Sequence, residues 1–151
     1  MATRKKLAAD AWGSLLRVHA ALVPAIDDVL RSECGLPLSW YDVLLELSAA
    51  SGGRLRMSDL GDRVVLSRTR VSRLVDEMVG RGLLAREGHQ KDRRSSYAVL
   101  TTEGRVEFAA AAPVYVRAIE DQFAGALTNG ELHEVARLLD AVLERRASTD
   151  A

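Results

Sequence analysis

The stretch LSRTRVSRLVDEMVGRGLLAREGHQKDRRSSYAVLT, residues 66–101, decides the fold of this 151-residue chain. Its first half has apolar residues at helical spacing and predicts a helix over residues 67–81. Its second half contains two short runs with strand propensity, residues 83–87 and 97–100. With a short helix predicted just before it, over residues 58–64, this order is typical of a winged helix-turn-helix.

The outward face of the predicted helix over residues 67–81 is basic and rich in hydroxyl groups. Arginine can donate two hydrogen bonds to guanine in the major groove, and serine or threonine can contact base edges or phosphates. The amide groups at the start of a helix can also bind a phosphate directly. We therefore predict that this helix reads DNA through Ser67, Arg68, Thr69, Arg70, Ser72 and Arg73.

The polar loop predicted over residues 88–96 carries a second basic group. Lys91, Arg93 and Arg94 have few acids nearby, so we expect an external anion as their partner, and the minor groove of DNA supplies one. Asp92 lies within this basic run, and we interpret it as a residue that orients Arg94. These four residues complete the predicted DNA-binding set.

Charge is distributed unevenly along the chain. The 21 basic and 21 acidic residues balance overall, yet residues 63–94 hold nine Lys or Arg against four acids, a local net charge of +5. The remainder therefore carries a net charge of −5. A basic centre in a neutral protein indicates a confined contact with a polyanion.

The flanking segments are predicted to be amphipathic helices. The first covers residues 7–33, with a kink or break before Pro24, and Ser39 is predicted to be the N-cap of the next, with Asp42 completing a capping box. A later helix over residues 102–123 contains Pro113, and a capping box from Thr128 to Glu131 starts a final helix that ends near Arg146.

The predicted fold class is mainly α with a small β-hairpin wing. We expect a single domain over residues 1–151, with a winged helix-turn-helix lobe at residues 39–101 and dimerisation helices at residues 7–34 and 102–147. No apolar run is long enough to span a bilayer, and the basic N-terminus lacks the apolar core of a signal peptide, so we expect a cytoplasmic protein.

Catalytic and metal chemistry find no support in the sequence. We see no nucleophile with a base and an orienting partner, no Gly-rich phosphate loop and no metal-binding spacing among His19, His89 and His133. We therefore expect no enzymatic activity, no cofactor and no metal. Cys34 is the single cysteine, so no intramolecular disulfide can form.

Three motifs are similar to those of the multiple-antibiotic-resistance regulator (MarR) family. They are LSRTRVSRLV at residues 66–75, RGLL at residues 81–84, and DRR at residues 92–94 followed by Leu100-Thr101. The resemblance spans nearly the whole chain. It implies a homodimeric transcriptional regulator, most simply a repressor, that presents two reading heads to a palindromic operator on double-stranded DNA.

The resemblance also raises the hypothesis of a small aromatic effector that binds between the dimerisation helices and the DNA-binding lobe. Some urate-responsive members use an acid at the place of Asp42 together with an arginine of the recognition helix, here Arg73. The candidate ligand-binding residues are Trp12, Trp40, Asp42 and Arg73.

Simpler interpretations stand beside these. Trp12, Trp40 and Tyr41 suit the core or a dimer interface, and His19 suits the core. The alternative functions are a winged helix that binds only proteins, or a redox-sensing regulator that acts through Cys34.

Overall fold

A computed structural model describes residue 1 and residues 3–64, 68–89 and 92–150. Within these residues the fold is mainly helical, as predicted. The helices are α1 (Arg4–Cys34), α2 (Leu38–Ala49), α3 (Met57–Arg63), α4 (Arg68–Gly80), α5 (Thr102–Gln122) and α6 (Asn129–Thr149). Because α6 continues to Thr149, the predicted end near Arg146 is wrong.

A small antiparallel sheet follows the order β1-β3-β2, with β1 (Arg54–Arg56), β2 (Leu84–His89) and β3 (Asp92–Leu100). In its central register Ala98 of β3 lies opposite Leu55 of β1 and Arg86 of β2. The predicted hairpin is confirmed, but the strands are longer than expected, since His89 pairs with Asp92. Most of the predicted loop is therefore strand, because backbone pairing extends a solvated ribbon even where its side chains are polar.

The chain divides into two compact units. The unit of residues 26–115 contains the hydrophobic core, in which side chains of α2, α3, α4 and the sheet meet. The fully buried residues there include Leu30, Val43, Leu44, Leu47, Leu60, Val75 and Met78. Tyr41 belongs to this core, as one of its two interpretations predicted.

The other unit, residues 1–25 and 116–151, is formed by the first part of α1, the last part of α5 and α6. Ala118 is buried there, whereas many large apolar side chains are exposed. Trp12 is 62% exposed, and His19 is exposed as well, so neither is a core residue of the single chain. The apolar face of these helices is thus largely uncovered.

Helix α1 continues through Pro24 without interruption, so of the two predicted alternatives, a kink or a break, the break does not occur. Proline removes one backbone donor, and the other hydrogen bonds of a 31-residue helix hold it together. The helix ends at Cys34, and at Gly35 a positive φ of 67° turns the chain while the Gly35 amide donates to the Arg31 carbonyl at 3.0 Å.

The start of α2 differs from the prediction. Its N-cap is Pro37, with no side-chain cap from within the helix, so the predicted N-cap Ser39 and its capping box with Asp42 are wrong. Instead Oδ1 of Asp27 on α1 accepts a hydrogen bond of 2.8 Å from the Leu38 amide. This carboxylate satisfies one of the free backbone N–H groups at the start of α2, although Asp27 lies eleven residues earlier in the chain.

Thr101 joins the end of β3 to the start of α5. Its hydroxyl lies 2.7 Å from the Gly82 carbonyl oxygen and 2.8 Å from that of Leu83, and it accepts a 3.0 Å hydrogen bond from the Gly104 amide. This contact brings the first turn of α5 onto the backbone of Leu83. A Cβ at Gly104 would overlap with the Leu83 carbonyl oxygen and lie 2.7 Å from Cδ1 of Leu100.

Gly104→Ala should therefore lower the free energy of unfolding by about 2 kcal/mol or more, because backbone cannot yield as a flexible side chain does. Gly80→Ala is the matched control, since an added Cβ meets nothing within 4 Å there, and helix propensity should raise stability by up to about 1 kcal/mol. Urea unfolding of both variants measures the difference. Equal stabilities would contradict the close approach.

Candidate nucleic-acid interface

Helix α4 separates a buried face from an exposed one. Val71, Val75 and Met78 are at most 1% exposed and pack into the core. At helical spacing this places Thr69, Arg70 and Arg73 on the exposed side, as predicted. Gly82 has a φ of 78°, and the Schellman hydrogen bonds around it end helix α4 shortly before strand β2 begins.

Arg73 makes no ion pair within the part of the chain that the structure describes. The helical pair with Glu77, which would make it an ordinary solvated residue, is not formed. Arg73 is exposed, so its donors are available to an external acceptor.

For six of the predicted DNA-contact residues the structure gives no side-chain position. Ser67 and Lys91 lie outside the described residues. For Arg68, Asp92, Arg93 and Arg94 the structure gives the backbone alone: Arg68 begins α4, and the other three begin β3. Their roles stay predictions.

Ser72 has a protein partner. Its residue is half-buried, and both its carbonyl oxygen and its hydroxyl accept hydrogen bonds from Nη2 of Arg86 on β2, at 3.1 and 3.0 Å. Nε of Arg86 also lies 3.0 Å from Oδ1 of Asp76. The sequence places Arg86 in the basic centre but indicates no role for it, because nothing local in the sequence links β2 to α4.

Strand β1 adds two arginines that the sequence pattern does not single out. Nε of Arg56 donates to the Tyr97 hydroxyl at 3.1 Å, and the Arg54 guanidinium lies 4.3 Å from the centre of the Tyr97 ring and 3.3 Å from Glu87. The alternation Arg-Leu-Arg after two glycines is a strand signal, although three residues are too few to predict a strand.

Asp42 lies half-buried on α2, close to the aromatic residues Tyr41 and Tyr115. Burial, and then repulsion from Glu46 one turn away, raise the pKa of Asp42 from 3.8 to about 6. Burial likewise raises the pKa of Tyr41 to about 12, and Tyr115 and Asp42 contribute to that shift. The rings of Tyr41 and Tyr115 are 4.3 Å apart between centres.

The four candidate ligand residues are not brought together by any described contact. Trp12 belongs to the unit of residues 1–25 and 116–151, whereas Trp40, Asp42 and Arg73 belong to the other. Trp40 packs against the core, and the Arg81 guanidinium lies 5.6 Å from its ring centre. Asp42 and Arg73 form no ion pair among the described residues.

The fold and sequence match known regulators. A family model described as MarR family matches residues 35–95. The crystal structure of AbsC, a MarR family transcriptional regulator from Streptomyces coelicolor, is 30% identical, covers 98% of each chain and has a TM-score of 0.82. The chain belongs to the MarR family. The resemblance carried by residues 66–75 and 92–94 is thus confirmed.

Two further structures are similar to this MarR family regulator. One, from Streptomyces coelicolor and in complex with DNA, is 26% identical with a TM-score of 0.82, covering 95% of this chain and 92% of that one. The other is an organohalide-sensing regulator bound to 2,4-dichlorophenol, 21% identical with a TM-score of 0.78, covering 92% and 80%. At that identity the second likeness shows the fold alone.

No curated protein matches the chain in sequence. Among the described residues, no helix combines the length and apolar character that crossing a bilayer requires.

The raised pKa of Asp42 predicts a pH-dependent stability. Between pH 3.8 and about 6 the folded chain binds more protons than the unfolded chain, so stability falls as the pH rises through this window. Asp42→Asn should remove that fall and increase the free energy of unfolding at pH 7.5 by about 1 to 2 kcal/mol, with no gain near pH 4. Urea unfolding across this pH range measures it.

Asp27→Asn is the control of opposite sign. Burial alone would raise the pKa of Asp27, but the hydrogen bond from the Leu38 amide and the Arg31 guanidinium hold it below 3.8. Its charge therefore stabilises the chain at neutral pH, and that contribution is lost on acidification. Parallel pH profiles for Asp42→Asn and the wild type would contradict the burial of the Asp42 carboxyl.

Proposed function

We propose that the protein is a homodimeric transcriptional repressor that binds a palindromic operator on double-stranded DNA and is released by a small aromatic effector. Helix α4 would enter the major groove, and the β2-β3 wing would reach the flanking minor groove. The proposal rests on α4, where Thr69, Arg70 and Arg73 are exposed while the opposite face is buried.

Two observations support the DNA contact. The exposed Arg73 has no ion pair within the described residues, so its charge is uncompensated there. In addition, a MarR family regulator of 26% identity was crystallised in complex with DNA. A winged helix that binds only proteins would need no basic reading face, so we favour DNA as the partner.

Arg73→Ala should weaken binding to a duplex that the wild-type protein has enriched from a random-sequence library. The expected loss is about tenfold or more, because one good base contact contributes about 1 to 3 kcal/mol. Fluorescence anisotropy at several salt concentrations measures it, and wild-type affinity should fall steeply as salt rises. Arg137→Ala removes the same charge from α6 and serves as the control.

The outcomes separate the alternatives. Salt-independent binding, or no enrichment of any duplex, would exclude DNA recognition and leave the protein-binding winged helix. Equal losses for Arg73→Ala and Arg137→Ala would exclude a specific role for α4. Oxidation that releases the wild type but not Cys34→Ser would instead establish the redox-sensing alternative.

The uncovered helices support the homodimer. The exposed apolar side chains of the unit of residues 1–25 and 116–151 include Leu7, Trp12, Leu15, Leu16 and Val23 on α1, and Leu138, Leu139, Val142 and Leu143 on α6. Contiguous apolar faces of this kind are rare on soluble monomers and usually mark an interface. A second copy, which presents the same face, is the occupant that the MarR family resemblance implies.

Leu143→Glu should shift the protein from dimer towards the 16.5 kDa monomer, because it places a charge on an apolar face. Sedimentation equilibrium at several concentrations measures the mass. Leu45→Glu is the control, since Leu45 is an exposed leucine of α2 in the other unit. A wild type that sediments as a monomer at all concentrations would exclude the homodimer.

Effector control is the remaining part of the proposal. It is supported by the half-buried Asp42 beside the Tyr41 and Tyr115 rings, and by the organohalide-sensing regulator of similar fold that was crystallised with 2,4-dichlorophenol. The candidate contacts are Trp12, Trp40, Asp42 and Arg73. The anisotropy titration, repeated with 2,4-dichlorophenol and other small aromatic acids present, tests effector control. An effector should lower the affinity for the enriched duplex, and unchanged affinity with every compound would give no support to this part of the proposal.

A further inference from the structure

One guanidinium group connects the wing to the recognition helix. Arg86 lies on β2, where it pairs with Ala98 of β3. Its Nη2 donates to the carbonyl oxygen of Ser72 at 3.1 Å and to the Ser72 hydroxyl at 3.0 Å, and its Nε contacts Asp76 at 3.0 Å. We call this set of contacts, formed by Arg86, Ser72 and Asp76, the guanidinium clamp.

The geometry of the clamp favours rigidity. Ser72 and Asp76 are one helical turn apart, so both face β2 from the same side of α4. Arginine presents its donors in a planar fork, and charged hydrogen bonds are stronger than neutral ones. The Arg86 side chain is 32% exposed, compared with 66% for Asp76, so the contact is partly shielded from water.

We propose that Arg86 is a positioning residue for DNA recognition, which fixes the wing relative to α4 so that both contact DNA as one rigid unit. This inference rests on the proposed function. Base-edge contacts require side chains to be held within about 0.5 Å of their binding geometry. A wing that is already in place also adds its contacts to those of α4 without a further ordering cost.

The competing role for Arg86 is a direct phosphate contact. The clamp opposes it, because Asp76 already neutralises the guanidinium and two of its three nitrogens are occupied. The clamp also gives Ser72 an intramolecular role. The two roles differ in how affinity depends on salt and on the chemistry of the side chain.

Arg86→Gln and Arg86→Lys distinguish the two roles on the duplex enriched by the wild type and on an unrelated duplex. If Arg86 is a positioning residue, both variants should lose about tenfold or more in affinity for the enriched duplex. Their affinity for the unrelated duplex should change little. Lysine keeps the charge but not the planar fork, so it should not rescue. The slope of log affinity against log salt should stay close to the wild-type slope.

A phosphate contact would give a different pattern. Arg86→Gln would weaken binding to both duplexes alike, the salt slope would fall by about one, and Arg86→Lys would largely restore affinity. That pattern would overturn the inference. Wild-type affinity of both variants on the enriched duplex would overturn it as well.

Asp76→Asn tests the clamp from the helix side. This test remains available if the Arg86 variants fail to fold. It removes a negative charge from the helix, which by electrostatics alone would strengthen DNA binding. The clamp predicts weaker binding to the enriched duplex instead. Glu77→Gln is the matched control, because Glu77 is an adjacent exposed acid outside the clamp, and it should bind as well as the wild type or better.

The double variant Arg86→Gln/Asp76→Asn should bind the enriched duplex no more weakly than Arg86→Gln alone, since both changes break one contact. Additive losses would overturn the clamp. If the wild type enriches no duplex, the proposed function fails first. If the wild type binds and the clamp variants bind equally well, the proposed function stands and only the inference about Arg86 fails.

Discussion

The two-sided character of α4 is the constraint on which the rest of the structure depends. Burying Val71, Val75 and Met78 removes apolar surface from water and contributes about 1.5 to 3 kcal/mol for each side chain. At 3.6 residues per turn, that burial leaves Thr69, Arg70 and Arg73 outside. The reading surface is therefore a consequence of core packing, since a rotation of α4 that hid the arginines would also expose its apolar face.

The features that could be predicted from the sequence are those set by residues within one or two turns of each other. The apolar stripe of α4 shows itself in its spacing, and Gly35 and Gly82 mark turns with positive φ. The Thr128 capping box is a four-residue pattern, and the structure forms it with hydrogen bonds of 2.8 and 3.3 Å. In each case the local sequence contains both partners of the interaction.

The features that were missed join residues far apart in the chain. The cap of α2 comes from Asp27, the clamp joins Arg86 to Ser72 fourteen residues away, and Arg56 meets Tyr97 across 41 residues. A periodicity cannot show which distant side chain completes such a pair. The local signal at Ser39 was therefore misleading, because a serine near a helix start caps only if no better acceptor reaches the same amides.

The two units differ in how much apolar surface they bury within a single chain. Residues 26–115 bury a continuous core, whereas the helices of residues 1–25 and 116–151 leave Trp12 and Leu143 more than 60% exposed. Under the proposed homodimer, that exposed surface is buried only on association, so the order of these helices depends on protein concentration. DNA affinity then depends on concentration in the same way, because a palindromic site needs two reading heads held together.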